Sequence, residues 1–296
     1  RGHILQGEDA SPSFFAVTRR INQRATNILA GNHPDHLFTS PQRALLPAIV
    51  LGNKTLLEKE DKEAFIETGT MHIFAISGLH VGIVAGTLFG LLRLLRMPPL
   101  PAALIGLPLV YVYVQVTGGA PSANRAFLMT LFFWGADALQ RKPAPFSALI
   151  ASALFVLWIE PTQLWRPGFQ LSYAVVGAIL LFGLPLAKWL WKNPSLESYT
   201  GGLVRKRIST LRRGCVMALN TITGMLAISL AAFLASAPLI AHFFGVFTPG
   251  AIVLNLALIP LVTVILIAGL VAACVGMLSG WLAECLLWPM SAFLWL

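Results

Sequence analysis

Charge is scarce in this chain. Only 11% of its 296 residues are charged, where a soluble domain carries roughly a quarter. Between Ile73 and Leu92 there is no Asp, Glu, Lys or Arg, over about the length a helix needs to cross a bilayer. Cysteine is scarce too. Cys215, Cys274 and Cys285 are widely spaced in apolar contexts, which argues against a disulfide framework or a cysteine metal site and leaves buried free thiols. Acidic groups nearly disappear after the N-terminal quarter. Residues 1–72 hold eight basic and eight acidic side chains, whereas residues 73–296 hold thirteen and four. Such an excess reflects either membrane topology or an anionic cargo.

What is present is apolar surface. Hydrophobic residues make up 56% of the chain and the mean hydropathy is +0.75. The expected fold class is all-α: a polytopic transmembrane helical bundle of about seven to eight spans, with broken or re-entrant helices and an N-terminal amphipathic helix. Expected spans are 73–92, 99–117, 121–140, 144–159, 168–187, 215–242 and 250–276, with an eighth starting near Trp281. Residues 41–52 are too short to span and are expected to re-enter or lie flat. The chain starts at Arg1 and stops at Leu296 within an apolar run, so it is expected to be part of something longer.

Residues 13–31 place Phe14, Val17, Ile21, Ala25, Ile28 and Leu29 at helical spacing, with Arg19, Arg20 and Arg24 off that stripe. This fits a helix lying on a membrane surface or one packed on a neighbour. The positive-inside rule then sets orientation. Arg93 and Arg96, Arg141 and Lys142, and the basic stretch 188–213 follow spans one, three and five. Alternation puts all three on one side, the cytoplasm. The N-terminal region and the turns 117–121, 160–167 and 244–249 fall outside. Arg125 and Arg166 sit at the external side. Arg125, within a span, either faces the bundle interior or snorkels to the interface. Asp137 stands four residues before Arg141, a spacing that suits a helix-end ion pair.

The first span carries polar groups that lipid does not tolerate bare. His72 stands at its mouth, and Ser77 and His80 lie one turn apart. Gly78, Gly82, Gly86 and Gly90 form a row suited to close helix packing. Ser77 beside His80 has the makings of an activated nucleophile, so an intramembrane hydrolase is one alternative. No carboxylate in the span orients the histidine, and Ala75 breaks the Gly-x-Ser-x-Gly elbow, so polar lining or packing ranks above catalysis. Gly52-Asn53-Lys54-Thr55 lacks the glycines of a phosphate loop, and His33-Pro34-Asp35-His36 lacks half of a metal signature. No catalytic residue, metal or cofactor is therefore expected.

Further polar groups mark the external ends of later spans. They are Ser122 and Arg125 in TGGAPSANRAFLM, Gln170 and Ser172 in PGFQLSY, and Asn255 in APLIAHFFGVFTPGAIVLNLALIP, which also holds Pro238, His242 and Pro260. Proline and asparagine in two successive spans point to broken or hydrated helices.

These stretches, after TGTMHIFAISGLHVG and in that order, resemble the membrane-embedded domain of the ComEC family, the DNA-internalisation proteins of natural transformation. The resemblance covers roughly residues 45–290. It implies a channel in the bacterial cytoplasmic (inner) membrane that passes one DNA strand into the cytosol. The implied partners are single-stranded DNA, membrane lipids and other proteins of the competence machinery. Family members often carry external OB-fold and metallo-β-lactamase-like domains, neither identifiable in this sequence. Residues 1–44 are expected to be an external linker with the amphipathic helix, and 45–296 the channel domain, truncated at its C-terminus. The candidates for the DNA path are His72, Ser77, His80, Ser122, Arg125, Arg166, Gln170, Ser172 and Asn255. A small-solute permease remains a further alternative that composition alone does not separate from a channel.

Overall fold

The structure is a computed structural model. It describes residues 12–30, 40–53, 76–191, 210–245, 247 and 249–277. Every regular element among them is helical: α1 Pro12–Ala30, α2 Ser40–Leu51, α3 Gly78–Leu94, α4 Pro99–Val116, α5 Pro121–Ala138, α6 Pro145–Ile159, α7 Pro167–Ala178, α8 Leu184–Trp191, α9 Thr210–Phe244 and α10 Ala251–Gly276. A 3-10 turn covers Pro161–Trp165, and a π turn at Ile179–Gly183 joins α7 to α8. Proline opens α4, α5, α6 and α7 at its first turn, where a missing N–H costs nothing and the fixed φ suits a helix.

Among the described residues, four stretches are long and apolar enough to cross a membrane: Pro99–Val116, Pro167–Leu190, Leu219–Phe244 and Ile252–Gly276. Gly78–Leu94 and Pro145–Ile159 are shorter apolar helices. The expected eighth span lies outside the described residues. The first span is not one helix through Ile76 and Ser77: the helix starts at Gly78 with Ser77 extended as its N-cap, and residues 73–75 lie outside the described residues. The breaks expected near Pro238 and Pro260 are absent. α9 and α10 stay helical through both prolines, as helices can where a neighbouring turn absorbs the lost bond. The irregular turn falls instead at 179–183, where a Cβ on Gly183 would come within 3.2 Å of Ala231 on α9.

The chain divides into two compact units, residues 1–143 with 261–296, and residues 144–260. In the first unit α3, α4 and α5 pack on one another, and α1 packs on α2 and α4. Its core holds Leu29, Leu46, Val50, Val81, Val110, Val114, Trp134 and Leu266. α2 is buried along Leu46–Leu51, so it is a core element of this unit rather than a helix lying flat on its surface. Gly106 lets α4 close on α5: a Cβ there would sit 2.1 Å from the Trp134 ring. In the second unit α9 packs along α7, the π turn and α8, and α6 packs on α7.

The first unit's helix ends differ in chemistry. α4 ends on Gly118 and Gly119, both at positive φ. α3 and α5 end on Arg96 (φ 57°) and Gln140 (φ 56°) instead. In each case two N–H groups donate back to the last turn, as from Arg96 to Arg93 and from Met97 to Leu92, which satisfies carbonyls that a helix end leaves bare. Beside those ends the Arg93 guanidinium pairs with Asp137 at 2.6 Å and lies over the Phe89 ring. Asp137 thus bridges α3 and α5, not the expected local pair with Arg141. Helix-to-helix packing brought a nearer cation than the next turn did.

Within the described residues the glycine row is mostly unpacked. A Cβ on Gly78 would touch Ala126 of α5 at 3.5 Å, but at Gly82, Gly86 and Gly90 it would meet nothing within 4 Å among the described residues. Val81, Val84, Ala85 and Leu92 are the buried side chains of the helix. Their larger apolar volume sets its inward face, about 100° or more around from most of the row.

Candidate functional site

Polar groups gather where α3 and α5 begin and α4 ends. Ser77 caps α3. Its backbone N–H points at His80 Nδ1 at 3.4 Å, and its Oγ lies 2.9 Å from the same nitrogen. This is the reach-back of a capping-box side chain, with histidine standing where Glu or Gln is usual. Nδ1 therefore acts as the acceptor, which leaves the proton on Nε2. The His80 ring is 2% exposed, and its Nε2 has no hydrogen-bond partner among the described residues. The Ser77–His80 contact caps the start of α3, and no described carboxylate orients the ring.

Ser122, in the first turn of α5, donates from Oγ to the Ile76 carbonyl at 3.0 Å. That bond ties the start of α5 to the residue that leads into α3. Asn124 Nδ2 donates to the Gly119 carbonyl at 2.8 Å and closes the α4–α5 turn. One turn into α5, Arg125 is only 7% exposed. The interior position is the correct one of the two expected for it, and a buried guanidinium in an apolar bundle is a costly feature that marks a polar route or a specific partner. Ser77, His80, Ser122 and Arg125 thus belong to one end of the first unit. His72 lies outside the described residues.

Three residues that sequence reasoning passed over build the rim of this end. Asn22 of α1 donates from Nδ2 to the Val116 carbonyl at 2.7 Å. Asn53 donates from Nδ2 to Thr26 Oγ1 at 3.3 Å. Gly52, at φ +70°, turns the chain after α2, and a Cβ there would press on Ile76 at 2.7 Å. The signal was the Gly52-Asn53 pair, set aside as a failed phosphate loop although such a pair also marks a turn.

The second unit holds the other candidates. The Arg166 guanidinium meets Glu160 at 2.6 Å, with the Arg166 side chain 59% exposed. Glu160 also accepts from Gln163 Nε2 at 2.7 Å and Thr162 Oγ1 at 3.1 Å. The bond from Gln163, with those from Thr162 and the Arg166 charge, outweighs desolvation and holds the Glu160 carboxyl below its ordinary pKa. Gln170 Nε2 donates to the Leu164 carbonyl at 2.9 Å. Arg166 and Gln170 therefore brace the turn 160–170. Ser172 is half-buried on α7 near the Phe169–Tyr173 ring pair, and Asn255 is half-buried on α10. No group of three His, Cys, Asp or Glu able to hold a metal occurs among the described residues.

The sequence matches the competence-protein family over residues 49–296. The chain belongs to the ComEC family of competence proteins. It is 28% identical to ComE operon protein 3 of Bacillus subtilis (strain 168) over 237 residues, 80% of this chain and 27% of that protein. It is 27% identical to Recombination protein 2 of Haemophilus influenzae over 160 residues, 51% of this chain and 20% of that protein. An uncharacterized protein of Aquifex aeolicus is 30% identical over 223 residues, 74% of this chain and 45% of that protein. The chain thus spans about a quarter of the first two relatives. No solved structure matches it. The capped His80 and the buried Arg125 both lie within the stretch that defines this ComEC family match.

Proposed function

We propose that this chain is the membrane-embedded conducting segment of a DNA-uptake protein, passing single-stranded DNA into the cytosol during natural transformation. The observation that carries the reading is the pair of buried ionisable side chains, His80 and Arg125, at one end of a largely apolar unit within the ComEC-family match. A strand bears a negative charge at every nucleotide and needs a hydrated, cationic route through hydrocarbon. On this reading the segment lies in the bacterial cytoplasmic membrane, with the His80–Arg125 end external and the stretch 188–213 cytoplasmic. Its partners are the incoming strand, lipids and other competence proteins. The segment itself catalyses nothing. Ser77 and His80 serve the start of α3, and any nuclease belongs to another part of the polypeptide or to another protein.

His80→Ala in the full-length protein is expected to abolish entry of labelled DNA into the cytosol while leaving DNA bound at the cell surface. Normal entry in a folded, membrane-inserted variant removes His80 from the route. Reconstituted vesicles that accumulate small solutes but exclude oligonucleotides would replace the channel with a permease.

A further inference from the structure

α1 has two faces, and only one is used inside the protein. Thr18, Ala25, Thr26 and Leu29 are buried, α1 packs on α2 and α4, and Phe14 stacks on Tyr111 of α4. Asn22 holds the helix to the end of α4 through the Val116 carbonyl. The opposite face presents Arg19, Arg20, Gln23, Arg24 and Asn27, all exposed. At about 100° per residue these five occupy one continuous arc of roughly 140°. α1 has no Asp or Glu, and the two ion pairs among the described residues lie elsewhere.

This arrangement does not suit a helix lying on lipid. Such a helix inserts its apolar face below the headgroups, and most of the apolar face of α1, with Ala25 and Leu29 at its centre, is instead buried where α1 packs on α2 and α4. Its outward arc carries three guanidinium and two amide groups with Ala16 among them, and Phe15 and Val17 are exposed only at its margins. Topology gives no reason for the three arginines either, because they run against the positive-inside bias if α1 is external. All three cations are arginine, whose planar fork fits phosphate oxygens in pairs. Gln23 and Asn27 add donors and acceptors between them.

The geometry points to the outward face of α1 as a docking ridge for the phosphate backbone of a single nucleic-acid strand, beside the end of the unit that holds His80 and Arg125. This inference rests on the DNA-uptake reading but adds a binding surface upstream of the conducting residues. Binding there is electrostatic and indifferent to base sequence.

The test uses the chain in phosphatidylcholine nanodiscs, with no anionic lipid, and a fluorescent oligothymidine read by anisotropy across a salt series. Replacing Arg19, Arg20 and Arg24 together by Gln is expected to weaken binding at least about tenfold. The log–log salt slope should flatten by about 2, since each single-strand phosphate contact contributes about 0.7. The triple Lys variant should keep most of the slope, which separates lost charge from lost folding. Unchanged affinity and slope in the folded Gln variant overturns the ridge. A ridge that binds with the expected slope in a protein that passes no strand across vesicles keeps this inference and removes the channel reading instead.

Discussion

Arg125 and Arg166 look alike in sequence and differ in the structure. Each stands at the start of a helix opened by proline, Pro121 for one and Pro167 for the other. Arg125 is 7% exposed inside the first unit. Arg166 is 59% exposed in the second and tied to Glu160. Burial of a charge is costly and calls for a purpose, whereas an exposed ion pair contributes little to stability. Arg166 fastens a surface turn, and on the proposed reading Arg125 serves the conducting end of its unit.

The largest effect expected from this contrast is on DNA entry. Arg125→Ala should reduce uptake of labelled DNA by well over tenfold, more than about 1.4 kcal/mol of added barrier, while Arg166→Ala should change it by less than about twofold. Equal losses in the two variants would erase the distinction. A smaller effect is expected where α4 closes on α5, nine residues along α5 from Arg125. Gly106→Ala drives a methyl into the Trp134 ring and should destabilise the first unit by about 1–3 kcal/mol. Gly82→Ala, where a Cβ meets nothing, serves as the control in the same thermal melts.

The smallest effect concerns the surface turn. The folded state holds the Glu160 carboxyl below its ordinary pKa, so its contribution is present above the usual carboxylate range and is lost as pH falls through the folded value. Fluorescence of Trp165, 77% exposed within this turn, should report loosening on acidification. Glu160→Gln should show the loosened signal already at neutral pH and little further change. A pH response that survives Glu160→Gln would place its origin elsewhere.

Local signals carried much of the fold. Proline at first turns, the Gly118-Gly119 pair and the charge-free runs placed α4, α5, α6 and the start of α7 within a few residues of their observed bounds, and missed the π turn that ends α7 at Ala178. The start of α3 was missed because an apolar run does not reveal where a cap interrupts it. Ser77 was noted as a polar group rather than as an N-cap. Asp137 was assigned to Arg141 because one-turn spacing is visible in sequence, while its partner Arg93 lies 44 positions away. Among the described residues the glycine row is not what packs, for a related reason. Small residues permit close packing, but the face that packs was set by Val81, Val84 and Ala85. The candidates Ser77, His80, Ser122 and Arg125 were legible as unusual polar groups in apolar runs. That they share one end of one unit came only from how α3, α4 and α5 pack, and no local pattern encodes it.

The central claim is that this end receives the strand. It is tested most directly by placing a photo-crosslinking amino acid at Ser122, whose side chain bridges the starts of α5 and α3, and stalling labelled DNA during uptake by competent cells. Light should capture the labelled strand at position 122 and not at Gly82. DNA that enters normally with no capture at Ser122, or with equal capture at Gly82, would contradict the account.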